Sequence, residues 1–268
     1  MVERDGTRLL RRGKVWLVGA GPGDPALLTV KAHRLVSAAR VLAYDELVSP
    51  EILALAPVDA ERTAVGRRGA GCRHHEARIH PAVLLRALAG QDVVRLKGGD
   101  PLVFGRGGEE AEELSLERVP FEIVPGISAA LGAAASAGIP LTHRDVASSV
   151  TFVTAHAASA SRDLPEGASA HRDGTIVFYM GLGRLEITCQ ALVSSGRAGA
   201  TPAAVISRAT LPGQRIVVGT LEDIASRVRD RGLEAPALLV VGEVVARRVT
   251  SPALVAYNQA PSSSVSSA

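Results

Sequence analysis

A chain of 268 residues in which 47% are apolar can bury one large core or two smaller ones. Aromatic residues make up only 3%, which favours layered α/β packing over an aromatic-rich sandwich. The net charge of +3 comes with no Lys/Arg block dense enough for a nucleic-acid stripe, and it suits an anionic small molecule. Residues 1–13 hold Arg4, Arg8, Arg11 and Arg12 without an apolar stretch, so they do not read as a signal peptide. No apolar run reaches the ~18 residues of a membrane helix. The expectation is a soluble, cytoplasmic protein that engages neither membrane nor nucleic acid. Cys72 and Cys189 have no CxxC partner and no His at zinc-ligand spacing. They read as reduced thiols, with no metal site.

Taken in chain order, "KVWLVG" at 14–19 is apolar throughout and reads as a strand buried on both faces. The spacing predicts a helix over 25–39 with Leu27, Leu28, Val30, Leu35 and Val36 on one side. Strands are expected at 40–45 and 62–66, with a short helix "EILAL" between them. A helix over 74–90 ends at Gly90, as a C-terminal cap requires. Strands at 92–96 and 121–126 flank a charged helix, "GEEAEELSLERV", and an Ala-rich helix covers 127–137. Strands alternating with helices imply a parallel sheet covered on both faces. "GIPLTHRD" at 138–145 breaks the pattern and reads as a linker. Strands follow at 149–154, 175–181, 203–209, 214–220 and 237–242, with helices near 183–196 and 221–229. The last three strands are close in sequence, so at least one pair should be antiparallel. Residues 157–173 read as a polar loop, and "APSSSVSSA" as a low-complexity tail. The expected domains are 14–140 and 146–250, with flexible tails at 1–13 and 251–268.

Four motifs carry chemistry. "VGAGPGD" at 18–24 is a strand, a glycine-rich turn and a helix start, the setting of a dinucleotide site, and Asp45 lies 24 residues after Gly21, near the place of a ribose-binding acid. Against a Rossmann oxidoreductase, Asp24 stands where the third glycine belongs, and Pro22 offers no N–H to a diphosphate. A structural turn with Asp24 capping a helix that begins at Pro25 is physically sound and compatible with a binding role. The second motif, "RLKGGDPLVFGRGGEE" at 95–110, follows a strand, so in a parallel sheet it lies at the carboxyl edge where ligands bind. Gly98 and Gly99 would let a ligand meet the main chain, and Asp100 could accept from an amine or a hydroxyl. Asp100 as a turn cap is the plain alternative. The segment lacks the Gly-Lys-Ser/Thr end of a P-loop. Third, "VPGISAALGAAASAGIPLTHRD" places Ser128 at a strand–helix junction and Arg144 in the linker. Fourth, "FYMGLG" ends a strand in Met180 and Gly181.

Together and in this order, "VGAGPGD", "YDELVS", "RLKGGDPLVFGRGGEE", "VPGISAA", "GIPLTHRD" and "FYMG" resemble the tetrapyrrole methylase family over about residues 14–250. The match is to the branch acting on uroporphyrinogen III, because "RLKGGDP-x-x-FGRGGEE" sets it apart from paralogues acting on later corrin intermediates. The resemblance implies an α/β fold of two αβα domains, the first sheet mostly parallel and the second mixed, with the active-site cleft between them. It also implies S-adenosylmethionine (SAM) as methyl donor, leaving S-adenosylhomocysteine. Contacts to it are carried over to Pro22, Gly98, Gly99, Asp100, Val103, Ser128, Ala129, Met180 and Ala209. Asp45 falls on a family position proposed as proton acceptor. Arg106 and Arg144 fall on positions facing the acidic tetrapyrrole, and Glu109 on one implicated in turnover. The implied reaction is methylation of uroporphyrinogen III at C-2 and C-7 to precorrin-2, by a homodimer, without a metal. A paralogous precorrin methyltransferase and an NAD-binding oxidoreductase are the alternatives. One departure is Arg67, standing where some relatives carry a lysine proposed as proton donor; a guanidinium is a poor proton donor, so Arg67 is expected to serve only as a charge. The dehydrogenase/ferrochelatase half of fused sirohaem synthases is not present in the sequence, so the expected activity stops at precorrin-2.

Overall fold

The computed structural model describes residues 11–66, 79–155 and 173–251. Arg67, Cys72, residues 74–78 of the expected third helix, the 157–172 loop, the 1–10 segment and the tail from 252 onward lie outside those residues. The chain divides into two compact units, Met1–Ser128 and Ala129–Ala268.

The first unit holds a five-stranded sheet of β1 (Val15–Gly19), β2 (Val41–Tyr44), β3 (Glu61–Ala64), β4 (Val93–Lys97) and β5 (Phe121–Val124), in the order β3-β2-β4-β1-β5. Every pairing in it is parallel. Its helices are α1 (Val30–Ser37), α2 (Pro50–Leu53), α3 (Pro81–Leu88) and α4 (Gly107–Leu116). The near-continuous apolar strands serve two cores at once, because alternate side chains face opposite sides. Val18, Leu42, Val94 and Leu96 pack with Ala32 and Val36 of α1 and Ile52 of α2. Val15, Leu17, Ala43 and Val93 pack with Val83 and Ala87 of α3 and Ala111 and Leu114 of α4.

The helix expected over 25–39 is broken. Pro25–Leu27 is a single 3₁₀ turn capped by Asp24, whose side chain accepts from the Ala26 N–H. Thr29 is extended and caps α1, its hydroxyl accepting from the Ala32 N–H. A hydroxyl satisfying an orphan N–H restarts the helix at that point. The buried stripe is therefore Ala32 and Val36, and Val30 is 68% exposed. α3 runs from Pro81 behind a His80 cap, and residues 74–78 of the helix expected over 74–90 lie outside the described residues. At its other end Gly90 adopts φ +86°, the left-handed turn that Cβ-bearing residues resist.

The second unit opens with α5 (Ala129–Ala137). Its sheet comprises β6 (Val150–Thr154), β7 (Thr175–Tyr179), β8 (Pro202–Ser207), β9 (Arg215–Thr220) and β10 (Ala237–Val241), ordered β6-β7-β10-β8-β9. β6 and β7 are parallel; β10 runs antiparallel to both β7 and β8, and β9 antiparallel to β8. The sheet is mixed, as the close spacing of its last strands requires. α6 (Leu185–Ser194) and α7 (Ile224–Asp230) cover one face through Leu185, Cys189, Leu192, Ile224 and Val228. On α5, the Gln214 side-chain amide donates to the Ser136 carbonyl at 3.3 Å.

Candidate active site

All first-unit candidates stand at one edge of the sheet, because parallel strands end on the same side. Pro22 follows β1, Asp45 follows β2, Gly98 to Glu109 follow β4, and Ser128 follows β5. Glycine is required here by close approach of three loops. A Cβ on Gly126 would lie 2.3 Å from the Gly99 carbonyl oxygen and 2.8 Å from the Gly19 Cα. Gly21 and Gly99 exchange backbone hydrogen bonds of 2.8 and 3.1 Å. Both polar groups of Gly99 are thus engaged by the first loop, and its glycine character serves the loop junction. Asp100 completes the junction: one carboxylate oxygen accepts from the Leu102 N–H at 2.8 Å, the other from the Gly126 N–H at 3.0 Å. Each oxygen keeps a further lone pair for a ligand hydroxyl or amine.

Arg106 is the N-terminal cap of α4 in the left-handed region, φ +59°. Its guanidinium lies 3.9 Å from Glu109, and both side chains are about half exposed. Val103 sits in the same loop, its N–H donating to the Asp100 carbonyl. Asp45 is held by Arg95, whose Nη2 donates to Oδ1 at 2.5 Å.

In the second unit, β7 and β8 both run antiparallel to β10, so they end at the same edge, where Met180 and Ala209 follow them. Met180 is 56% exposed and at φ +55°, so it is not a core residue. Ala209 lies between Arg208 at φ +52° and Thr210 at φ +64°. The Tyr179 hydroxyl accepts from the Ala130 N–H at 3.1 Å, tying the start of α5, which Ala129 opens, to the end of β7. Arg144 lies on an exposed turn closed by a His143–Ala147 bridge.

Non-glycine residues in the left-handed region cost ~1–3 kcal/mol and persist where the surroundings impose them, often at ligand sites. Among the described residues they are Phe104, Arg106, Arg118, Met180, Arg208 and Thr210. All but Arg118 sit in the loops just described.

Sequence reading missed the cluster behind Asp45. Glu110 Oε1 accepts from Lys97 Nζ at 2.7 Å and from Arg95 Nη2 at 3.1 Å. Burial, and then the charge of Arg95, pull the Lys97 ammonium below its ordinary range, against Glu110 and Asp45. The available signal was a pair of cations at alternate positions of an apolar strand, which demands buried carboxylates nearby.

These features define a two-unit α/β protein with glycine-rich loops gathered at the carboxyl edge of a parallel sheet. The profile of the Tetrapyrrole (Corrin/Porphyrin) Methylases matches residues 14–225, and the chain belongs to that family. It is 52% identical over 244 residues to a siroheme synthase of Pseudomonas fluorescens (strain Pf0-1), covering 91% of this chain and 53% of that protein. The chain thus spans about half the length of the curated relatives it matches. Among solved structures it is similar to the uroporphyrin-III C-methyl transferase of Thermus thermophilus complexed with S-adenyl homocysteine. That match has 41% identity and a TM-score of 0.74, covering 88% of this chain and all of that one. A cobalt precorrin-4 methyltransferase matches at 30% identity and a TM-score of 0.75, over 87% of this chain and 95% of that one.

Proposed function

We propose that the chain is a SAM-dependent C-methyltransferase that methylates uroporphyrinogen III at C-2 and C-7, giving precorrin-2. What carries the reading is the match, over all of its length, to a uroporphyrin-III C-methyl transferase at 41% identity. The donor set of the loops fits the cofactor. SAM has an amine and ribose hydroxyls but no phosphate, so Asp100 is a suitable partner and the lack of an N–H at Pro22 does no harm. Gly98, Gly99, Asp100, Val103 and Pro22, with Ser128, Ala129, Met180 and Ala209, are the residues assigned to hold it. When bound, SAM supplies an electrophilic methyl on a sulfonium centre.

The acceptor bears eight carboxylates, and the forked guanidinium groups of Arg106 and Arg144 are suited to them. Asp45 is placed as the group that accepts the proton lost from the methylated ring carbon, with Glu109 beside Arg106 supporting turnover. Most of the rate gain is assigned to holding the ring carbon and the methyl in line. The working form is a homodimer in the cytoplasm.

The decisive experiment is incubation with SAM and uroporphyrinogen III under reducing conditions, followed by mass analysis. Addition of two methyl groups is expected, and no methyl addition sinks the assignment. The similarity of fold to a cobalt precorrin-4 methyltransferase favours a second reading, methylation of a later corrin intermediate. Methylation of that intermediate in preference to uroporphyrinogen III would select it. Calorimetry separates the oxidoreductase class, since tight NAD binding without SAM binding rules out a methyltransferase.

A further inference from the structure

β4 is the central strand of the first sheet, and two of its residues are buried cations. Arg95 and Lys97 alternate with Val94 and Leu96 and so share the face of Val93, the face covered by α4. Neither cation could remain there without a counter-charge. The single oxygen Glu110 Oε1 answers both, at 2.7 Å from Lys97 and 3.1 Å from Arg95. Arg95 then spends its remaining reach on Asp45, its Nη2 at 2.5 Å from Oδ1, while Nη1 donates to the Leu96 carbonyl at 2.9 Å. Two cations and two carboxylates balance. The Lys97 side chain is 2% exposed and that of Asp45 is 25% exposed, so the chain of charges surfaces at Asp45.

Glu110 also belongs to the first turn of α4, next to Glu109 and four residues after the Arg106 cap; its N–H donates to the Arg106 carbonyl at 3.1 Å. One buried side chain therefore joins the helix that carries Arg106 and Glu109 to the strand that holds Asp45. We propose that Glu110 is a positioning residue of this site: through Arg95 it fixes the Asp45 carboxylate, and through its own helix turn it fixes Arg106 and Glu109. The inference rests on the roles assigned to those residues in the proposed function. The competing role for Glu110 is plain neutralisation of Lys97.

The two roles separate in the pair Glu110→Gln and Glu110→Gln/Lys97→Met. Glu110→Gln leaves a buried lysine without its carboxylate and should lower both thermal stability and kcat. Replacing Lys97 by Met as well removes the stranded charge and should return the stability. The kcat should remain ~10- to 100-fold below wild type, with KM for SAM and uroporphyrinogen III little changed. Wild-type kcat in the double variant overturns the proposal, because neutralisation would then account for Glu110. Glu110→Asp keeps the charge but withdraws it by one methylene; it should stay folded and lose kcat, and wild-type kcat there counts equally against the proposal. Hydrogen exchange without substrate provides an arm independent of activity. Peptides over 42–49 and 103–113 should exchange faster in the double variant and in Glu110→Asp, and unchanged exchange in both segments overturns the positioning role. Failure of the wild-type protein to methylate uroporphyrinogen III removes the proposed function, while the exchange arm still decides the role of Glu110.

Discussion

The two units build their candidate loops differently. In the first, every strand runs in the same direction, so the loops after β1, β2, β4 and β5 emerge on one edge and crowd together. Gly19, Gly99 and Gly126 make that crowding possible, and Asp100 stitches it with two backbone bonds. In the second, β10 and β9 run against β7 and β8, so only some strand ends share the edge of Met180 and Ala209. There the turns directly after β7 and β8 are shaped by Cβ-bearing residues at positive φ, namely Met180, Arg208 and Thr210, whereas in the first unit Phe104 and Arg106 take such angles only further along the β4 loop, beyond the glycine junction. A parallel sheet gathers many loops and needs small residues to seat them. A mixed sheet gathers fewer and can hold each in a strained conformation. Substitutions should therefore fail differently in the two units.

The largest expected effect is on the crowded edge. Gly126→Ala puts a methyl into the Gly99 carbonyl and the Gly19 Cα, neither of which can swing away as a side-chain tip could. A loss of about 3 kcal/mol is expected, at the upper end of overpacking costs, and SAM affinity should fall with it. Denaturant unfolding and calorimetry read both. A fully stable Gly126→Ala protein with wild-type SAM binding would show that the three-glycine junction is not rigid.

Next is Arg106→Ala. The guanidinium is half exposed and caps nothing with its side chain, so folding should change little. Tetrapyrrole affinity should drop by about 2 kcal/mol, the usual worth of a charge-assisted hydrogen bond, with SAM affinity nearly unchanged. Equal losses for both ligands would remove Arg106 from the acceptor side. Asp45→Asn should lower kcat with little effect on either affinity, measured in the methylation assay; unaltered kcat would exclude Asp45 as proton acceptor.

The second unit offers an effect of opposite sign. Met180 is mostly exposed, so truncating it removes little burial. Met180→Gly relieves a left-handed conformation worth ~1–2 kcal/mol and costs ~0.5–1 kcal/mol in unfolded-chain entropy. The variant should be roughly 0.5–1 kcal/mol more stable and bind SAM more weakly. Gain of stability with unchanged SAM binding would show the strain to be unrelated to the ligand.

Much of the fold was legible because the strands are apolar runs bounded by glycine and proline, and such runs have few other fates in a chain of this composition. The loops were legible for the same reason, since "KGGDP" and "VPGIS" announce close backbone approach. What stayed hidden was partnership. Thr29 could be read as a helix interior residue until its hydroxyl was seen to accept from Ala32. Gly99 promised a backbone open to a ligand, yet both of its polar groups pair with Gly21 across the chain. The Arg95–Asp45 and Lys97–Glu110 pairs join residues far apart in sequence, and no local periodicity encodes such pairing.

The smallest prediction concerns a residue in the core of the second unit that has no assigned part in the chemistry. Cys189 packs beneath the sheet with Leu185 and Leu192, and burial, aided by nearby Glu186, pushes its thiol from 9.0 up to about 12. The native thiol thus keeps its proton above pH 9, where the unfolded thiol releases it. A group that binds the proton more tightly when folded contributes stability that is whole below pH 9 and is lost as the pH rises from 9 towards 12. At pH 9 the loss is about 0.4 kcal/mol. The difference in stability between wild type and Cys189→Ala should therefore shrink between pH 8 and pH 9. A constant difference across that interval would mean that the native thiol ionises as readily as the unfolded one, and that the core around Cys189 admits water.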